Sequence, residues 1–596
     1  MHSLKENIFW LLLLVVVFSF GVFYQYQEKG EFEQYNVIKS DGTCYYSYLP
    51  STFLSKENQT KEGIDYYMLL DRNDKTKHNK FFIGTSFFMT PFFVLAHSYV
   101  LFRNALNPNY AYPPDGYSLP YQIAIGISGA FYLVLGLYFL AVLLSYLGVD
   151  KRVVYGVSFF FAMGTQLLTL SSYEASFSHI YSFFVIATIL LLTYKIALKP
   201  NLRLFLLLSA LFAVLALIRP TNVLVVLALP IIFELTTYKR FFRWLSQQRL
   251  AFVYALGIMA GIIFIQLLYW KLETNHFIIW SYSEEGFNFL HPEFFKVLFS
   301  FKKGLFVYTP LLLVAFAIIF FSALSLRIKG LFLLFFVINN YVISSWWCWW
   351  YGGSYGMRPW MEFMPVVILL VALSLNKMDV SKVKVITVFS FLALWINLVQ
   401  TYQYATGIIH WSEMNWDKFQ QVFLRTHSDF RFVTYDLDTS YKHYIVVDSL
   451  TYSARQNPEP KALVLNNERP FDAVFEVSKD SMYQANFKWN AQQLFNDTLG
   501  TYVKVKFDGR LENMTGGAVV VSTANCKNKD CLVWNSVRLI KLIRRAEEWN
   551  TVEAIFDLKK PNPKWEDYQI YFFNDRGNKV WVKNIEVTFY YYLYRD

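Results

Sequence analysis

Just after its first apolar stretch the chain reads Ser40-Asp41-Gly42-Thr43-Cys44-Tyr45-Tyr46-Ser47-Tyr48-Leu49-Pro50. A carboxylate beside glycine, followed by tyrosines near a membrane surface, suits proton transfer. Asp41 would accept a proton from an attacking hydroxyl while Tyr45 and Tyr46 hold a sugar face. The structural alternative is an Asx-turn in which Asp41 caps the segment behind it. Further on, His179 ends the string Tyr173-Glu174-Ala175-Ser176-Phe177-Ser178-His179. A histidine near an acid serves either as an acid–base group or as a hydrogen-bonded structural residue. Cys526 and Cys531 are too few for a metal site, but would suit a disulfide in an oxidising compartment.

The elements that must position these groups are membrane spans. Of 596 residues, 55% are hydrophobic and only 17% charged, against roughly 25% charged in an ordinary soluble domain. That excludes a wholly soluble enzyme, and the long apolar runs exclude a membrane β-barrel. The first run, from Ile8 to Phe23, has no small-residue cleavage site behind it and reads as an uncleaved span. Others lie at about 121–148, 153–170, 179–197, 203–218, 221–237, 250–270, 305–326, 330–346, 363–376 and 383–403, making about eleven crossings on the ~20-residue rule. The apolar pieces 84–102, with Pro91 and His97, and 277–300, with Glu284 and Glu285, read as juxtamembrane or re-entrant.

Loop charge fixes the expected orientation. Alternate loops hold Lys151, Arg152, Lys195, Lys199, Arg203, Lys239, Arg240, Arg243, Arg249, Arg327, Lys329, Lys377, Lys382 and Lys384, against only Asp150 and Asp379. The positive-inside rule then sets the N-terminus inside and the C-terminus outside. It also accounts for much of the net charge of +11, so no nucleic-acid partner is expected. The division is a multi-span domain over 1–403, with outer loops at 28–120, 271–304 and 346–362, and an extracytoplasmic domain over 404–596. In the second part short, mostly alternating segments such as 502–507, 518–522, 551–556, 568–573 and 580–591 are separated by turn-rich pieces. That spacing predicts an all-β sandwich or jelly roll.

The Asp41-Gly42…Tyr45-Tyr46…Tyr48-Leu49-Pro50 string after a first span resembles the first-loop motif of the C-type (GT-C) membrane glycosyltransferases, which use polyprenyl-phosphate sugars. Lys80-Phe81-Phe82-Ile83-Gly84-Thr85 leading to Pro91, Phe177-Ser178-His179, Arg219-Pro220-Thr221, Glu285-Gly286-Phe287 through Lys303-Gly304-Leu305-Phe306, and Trp350-Tyr351-Gly352-Gly353-Ser354-Tyr355-Gly356-Met357-Arg358-Pro359 are similar to other pieces of that superfamily. The likeness covers roughly residues 1–400. Several families in that superfamily carry paired acids in this loop, whereas here Gly42 follows Asp41; Glu62, Asp65, Asp71 and Asp74 match no second-acid motif.

The resemblance implies an inner-membrane enzyme of bacteria with its active site and C-terminal domain in the periplasm. It would transfer sugar from a polyprenyl-phosphate donor to a lipid, glycan or protein acceptor, with Asp41 as general base. Arg358, Lys302, Lys303, Arg219 and Lys80 become candidates for the donor phosphate. Tyr45, Tyr46, Glu174, His179, Glu285 and Tyr355 become candidates for sugar or acceptor, and the β-domain a candidate carbohydrate binder. No cofactor is assigned, and a divalent metal stays open. Arg358 has a bland alternative as an i,i+4 partner of Glu362, and Arg219 as a snorkelling helix end. The rival functions are a lipid-linked glycan ligase or polymerase, and a non-catalytic assembly subunit docked through its outer domain. A transporter is disfavoured because the spans carry almost no charge near their middles.

Overall fold

In a computed structural model of the chain, the described residues are 4–29, 35–54, 69–71, 77–236, 238–282, 285–427, 430–431, 434, 446–452, 474–478, 482–495, 499–512, 518–525, 533–543, 546–558, 562, 564–574 and 579–593. They form two compact units, Met1–Thr406 and Gly407–Asp596.

The first unit is a helical bundle. It opens with α1 (Leu4–Lys29), α2 (Asp41–Phe53), a short antiparallel hairpin of β1 (Leu69–Asp71) and β2 (Lys77–Asn79), and α3 (Gly84–Leu106). Next come α4 (Leu119–Tyr146), α5 (Lys151–Met163), α6 (Leu167–Ser172), α7 (Ser178–Leu198) and α8 (Leu202–Ile218). A 3-10 segment, Pro220–Ala228, leads into α9 (Leu229–Glu234), α10 (Lys239–Gln247) and α11 (Arg249–Thr274). The remainder is α12 (Phe294–Phe299), α13 (Leu305–Tyr308), α14 (Leu311–Phe321), α15 (Leu326–Ser345), a 3-10 turn Arg358–Phe363, α16 (Met364–Leu375) and α17 (Val380–Ala405).

Eight helical stretches among the described residues are long and apolar enough to cross a membrane, and three shorter apolar ones accompany them. Their burial follows their place: 83% of the α7 window is buried, but only 17% of the α11 window, whose Leu250, Val253 and Leu256 face outward. An apolar helix exposed in this way is stable only in hydrocarbon. This is a polytopic membrane protein.

Two details differ from the sequence expectation. Residues 153–170 do not form one span: the helix breaks between α5 and α6, where Gln166 donates to Thr309 Oγ1 at 2.8 Å. Thr309 itself lies in the break before Pro310, which lacks the N–H a continuous helix needs. That bond ties the two interruptions together inside the bundle. α3, by contrast, is an unbroken helix of 23 residues with Pro91 inside it, long enough to cross. A Cβ at Gly84 would strike Leu217 and Ile218 at the end of α8, while His97 meets Tyr121 at the start of α4. The 35–54 segment touches both places, with Gln122 of α4 accepting from Val37 and Ile38, and Tyr48 donating to Phe81. α3 is thus a full-length apolar helix where the sequence suggested a juxtamembrane or re-entrant piece.

The helices of the bundle present two ends. One end carries Asp41, Glu174, Arg219 and Arg358. The other carries the base-rich loops that start α5, follow α7, surround α10 and precede α15 and α17.

The second unit contains a short helix α18 (Trp416–Val422) and two antiparallel sheets. One sheet joins β3 (Val446–Tyr452), β4 (Phe475–Val477), β6 (Leu499–Leu511), β9 (Asn550–Asp557) and β11 (Val580–Leu593). The other orders β5 (Tyr483–Asn490), β10 (Asp567–Phe573), β7 (Val519–Asn525) and β8 (Val533–Arg538). β10 alternates between buried and half-buried side chains, as a sheet with one face on a core requires. The inner faces meet: Phe507 packs on Phe572 at 4.9 Å between ring centroids and Trp489 on Phe589 at 5.3 Å. This is the expected sandwich, with β5 and β8 added to the segments the sequence suggested. Both Cys526 and Cys531 fall outside the described residues.

A candidate active site at one end of the bundle

Asp41 is the first residue of α2, and the chain reaches it through Ser40, held at φ 52°. A non-glycine residue in the left-handed region is costly and is kept only where the surroundings fix it. They do so here. A Cβ on Gly42 would lie 1.8 Å from Ser176 Oγ, and that hydroxyl donates to the Val37 carbonyl at 2.6 Å. The start of α2 is thus pressed against the 174–178 turn, leaving no room for a second acid beside Asp41. Gly42→Ala is expected to lower stability by about 1–3 kcal/mol through overpacking, read as a drop in Tm of the detergent-solubilised chain.

Arg358 comes from the other side of the site, at the start of its 3-10 turn. Its Nη2 donates to Asp41 Oδ2 at 2.5 Å and to the Tyr351 carbonyl at 2.5 Å. The guanidinium lies 5.0 Å from the Phe177 ring centroid, a cation–π contact. The Arg358 side chain is only 6% exposed and that of Asp41 20%. Nε and Nη1 of Arg358 are buried and meet no acceptor. The loop before it winds through left-handed residues, Tyr351 at φ 55° and Gly356 at φ 59°. A Cβ at Gly356 would lie 2.0 Å from Gln166 Nε2, so only glycine lets this loop seat against the broken α5–α6 pass.

A second ionic group adjoins the first. Glu362 Oε1 is 2.5 Å from His179 Nδ1 and 3.4 Å from Arg219 Nη1, with Glu362 and His179 each 1% exposed. The Arg219 guanidinium lies 5.5 Å from the Tyr351 ring, whose own carbonyl receives Arg358. The bland pairing of Arg358 with Glu362 is therefore not formed: Arg358 reaches Asp41, and Glu362 is held by His179 and Arg219. Arg219 serves an ion pair rather than snorkelling. A narrow crevice opens beside Glu362, lined by Arg219, Asn222, Asn339 and Tyr351.

The other sequence candidates divide. Tyr45 is buried close to Asp41, Arg219 and Arg358, and burial pushes its phenol above the usual range. Glu174 is 2% exposed and accepts from Tyr404 at 2.5 Å, with its second oxygen buried and unpartnered. Burial raises its carboxyl, opposed by Tyr404 and by the charges of Lys39, Arg358 and Lys303. Lys303 is buried and donates to the Ser354 carbonyl, and Lys302 sits 4.0 Å above the Trp350 ring. Lys80 and Glu285 pair with each other at 2.5 Å.

Two candidates point elsewhere. Tyr46 donates to the Gly116 carbonyl and packs against Phe93 and Tyr117. Tyr355 places its hydroxyl among Tyr308 O, Asn397 Oδ1 and Gln400 Oε1, inside the helices. Both are structural tyrosines in this fold.

No family model and no curated protein matches the chain. Among solved structures it is similar to the cryo-EM structure of arabinosyltransferase EmbB from Mycobacterium smegmatis, at 8% identity and a TM-score of 0.32. The match covers 78% of this chain and 57% of that one. A likeness so distant leaves the functional reading to the residues.

Those residues offer a carboxylate open to solvent on one side, gripped by a buried arginine with unused donors. Among the described residues no three His, Cys, Asp or Glu side chains converge to hold a metal ion. Glu362 is the group the sequence reading overlooked as a site member, and it left a signal: it is the only acid within the apolar stretch 358–375.

Proposed function

We propose that the chain is an integral-membrane glycosyltransferase that moves a sugar from a polyprenyl-phosphate donor to an acceptor hydroxyl. The observation carrying this reading is the Asp41–Arg358 contact with two guanidinium nitrogens left over. A base and an anion binder that touch at rest are close enough to serve the two ends of one displacement. The acceptor oxygen attacks the donor's C1 from the face opposite the phosphate, and the C1–O bond to phosphate breaks. Asp41 takes the acceptor's proton, and the bonding electrons leave with the lipid phosphate. Arg358 releases Asp41 and turns its planar fork to the phosphate, which gains charge as the bond breaks.

Arg219, paired with Glu362, packs on the Tyr351 ring, and the Tyr351 carbonyl holds the position of Arg358. Lys302 and Lys303 add positive charge on the same side, and Tyr45, Glu174 and His179 wall the place of the sugar and acceptor. By the positive-inside rule, the end bearing the base-rich loops is cytoplasmic and the site faces outward, into the periplasm of a bacterial inner membrane.

The test is reconstitution of the purified chain with radiolabelled polyprenyl-phosphate sugars and a membrane extract as acceptor source. Labelled product together with released polyprenyl phosphate is the expected result. Turnover only of a polyprenyl-linked oligosaccharide would instead make the chain a glycan ligase or polymerase. No turnover of either, from a chain that binds neither, would make it an assembly subunit.

A further inference from the structure

An apolar cleft lies far from Asp41, between α5, α14, α16 and α17, with a volume of about 200 Å³. Its walls include Phe160, Ile318, Val371 and Ile386, and its rim carries Arg152. Val371 follows Arg358 by thirteen residues, roughly 20 Å along a helix axis, so the cleft does not belong to the site at Asp41. Gly156 lines it, and a Cβ there would meet nothing within 4 Å. α5 is therefore notched where the cleft is open.

The four helices are membrane passes, so hydrocarbon chains are what such a notch meets. Charge at the rim narrows the choice. Lys151 and Arg152 begin α5, and Lys382 and Lys384 flank the lining residue Val383 on α17. Against these four bases stand Asp150, which caps the Arg152 N–H at 2.7 Å, and Asp379, 3.6 Å from Lys382. The Arg152 side chain is exposed at the mouth.

We propose that this cleft is a binding site for an anionic phospholipid: one acyl chain fills the notch at Gly156 and the phosphate meets Arg152. The site is separate from the sugar-transfer centre and does not depend on that reading. Burial of the acyl chain supplies the affinity and the basic rim the headgroup preference.

Native mass spectrometry of the detergent-purified full chain tests this, with phosphatidylglycerol as probe and phosphatidylcholine of the same chains as the neutral arm. The wild-type chain should retain one phosphatidylglycerol about tenfold more tightly than phosphatidylcholine. Arg152→Gln should remove that preference, and Gly156→Leu, which has open space to enter, should lose both lipids with Tm unchanged. Equal retention of the two lipids by the wild type, or undiminished phosphatidylglycerol on Gly156→Leu, would overturn the proposal.

Discussion

Asp41→Asn should give a chain that inserts, folds and binds donor as the wild type does, yet transfers sugar about 10²–10⁴-fold more slowly, the typical worth of a positioned general base. Asparagine keeps the shape of the side chain and an oxygen for Arg358, so the 2.5 Å contact that joins α2 to the Arg358 turn keeps an acceptor. What disappears is the capacity to take a proton. Initial rates from labelled donor, beside a binding isotherm for the same donor, separate these effects. A variant with wild-type kcat would remove Asp41 from catalysis.

Replacement of Arg358 should be as damaging in a different way. Arg358→Gln removes the cation expected to receive the leaving phosphate, and loss of one such transition-state donor costs about 10²–10³-fold in kcat. It also strands the Asp41 carboxylate at the edge of a buried site, so Tm should fall as well. Arg358→Lys discriminates between the two consequences. Lysine restores a charge for Asp41 and hence most of the stability, but its single ammonium cannot present a planar fork to phosphate. Recovered Tm with transfer still depressed is the expected outcome; full recovery of transfer would mean that Arg358 acts only as a structural counter-ion.

The two residues that carry these predictions stand 317 positions apart, and the sequence singled out both. For Arg358 part of the reason is physical, since on a face where the positive-inside rule explains no bases a base needs another explanation; Asp41 stood out through the first-loop resemblance. The spans were legible for a similar reason, since only long apolar runs suit hydrocarbon. Partnering was not. Whether Arg358 would meet Glu362 or Asp41 depends on the 3-10 turn at Arg358–Phe363 and on the left-handed loop from Tyr351, neither of which has a one-dimensional signature.

The tyrosines failed likewise, because composition does not tell where a phenol hydroxyl points. Tyr45 reaches the site, while Tyr46, its neighbour, turns to Gly116. The break at 164–166 escaped because the bond that ties Gln166 in comes from a residue of another pass. In the β-domain, β5 was hidden by its polar outward residues and by an irregular register opposite Ile570 and Phe572, where Ala485 takes φ 48°.

The most direct measurement is a cryo-EM structure of the chain with a polyprenyl-phosphonate sugar that cannot be transferred. The phosphonate should lie within hydrogen-bond distance of Arg358, with Asp41 detached from that side chain and turned toward the sugar. An analogue bound elsewhere, with the Asp41–Arg358 contact intact, would contradict the account.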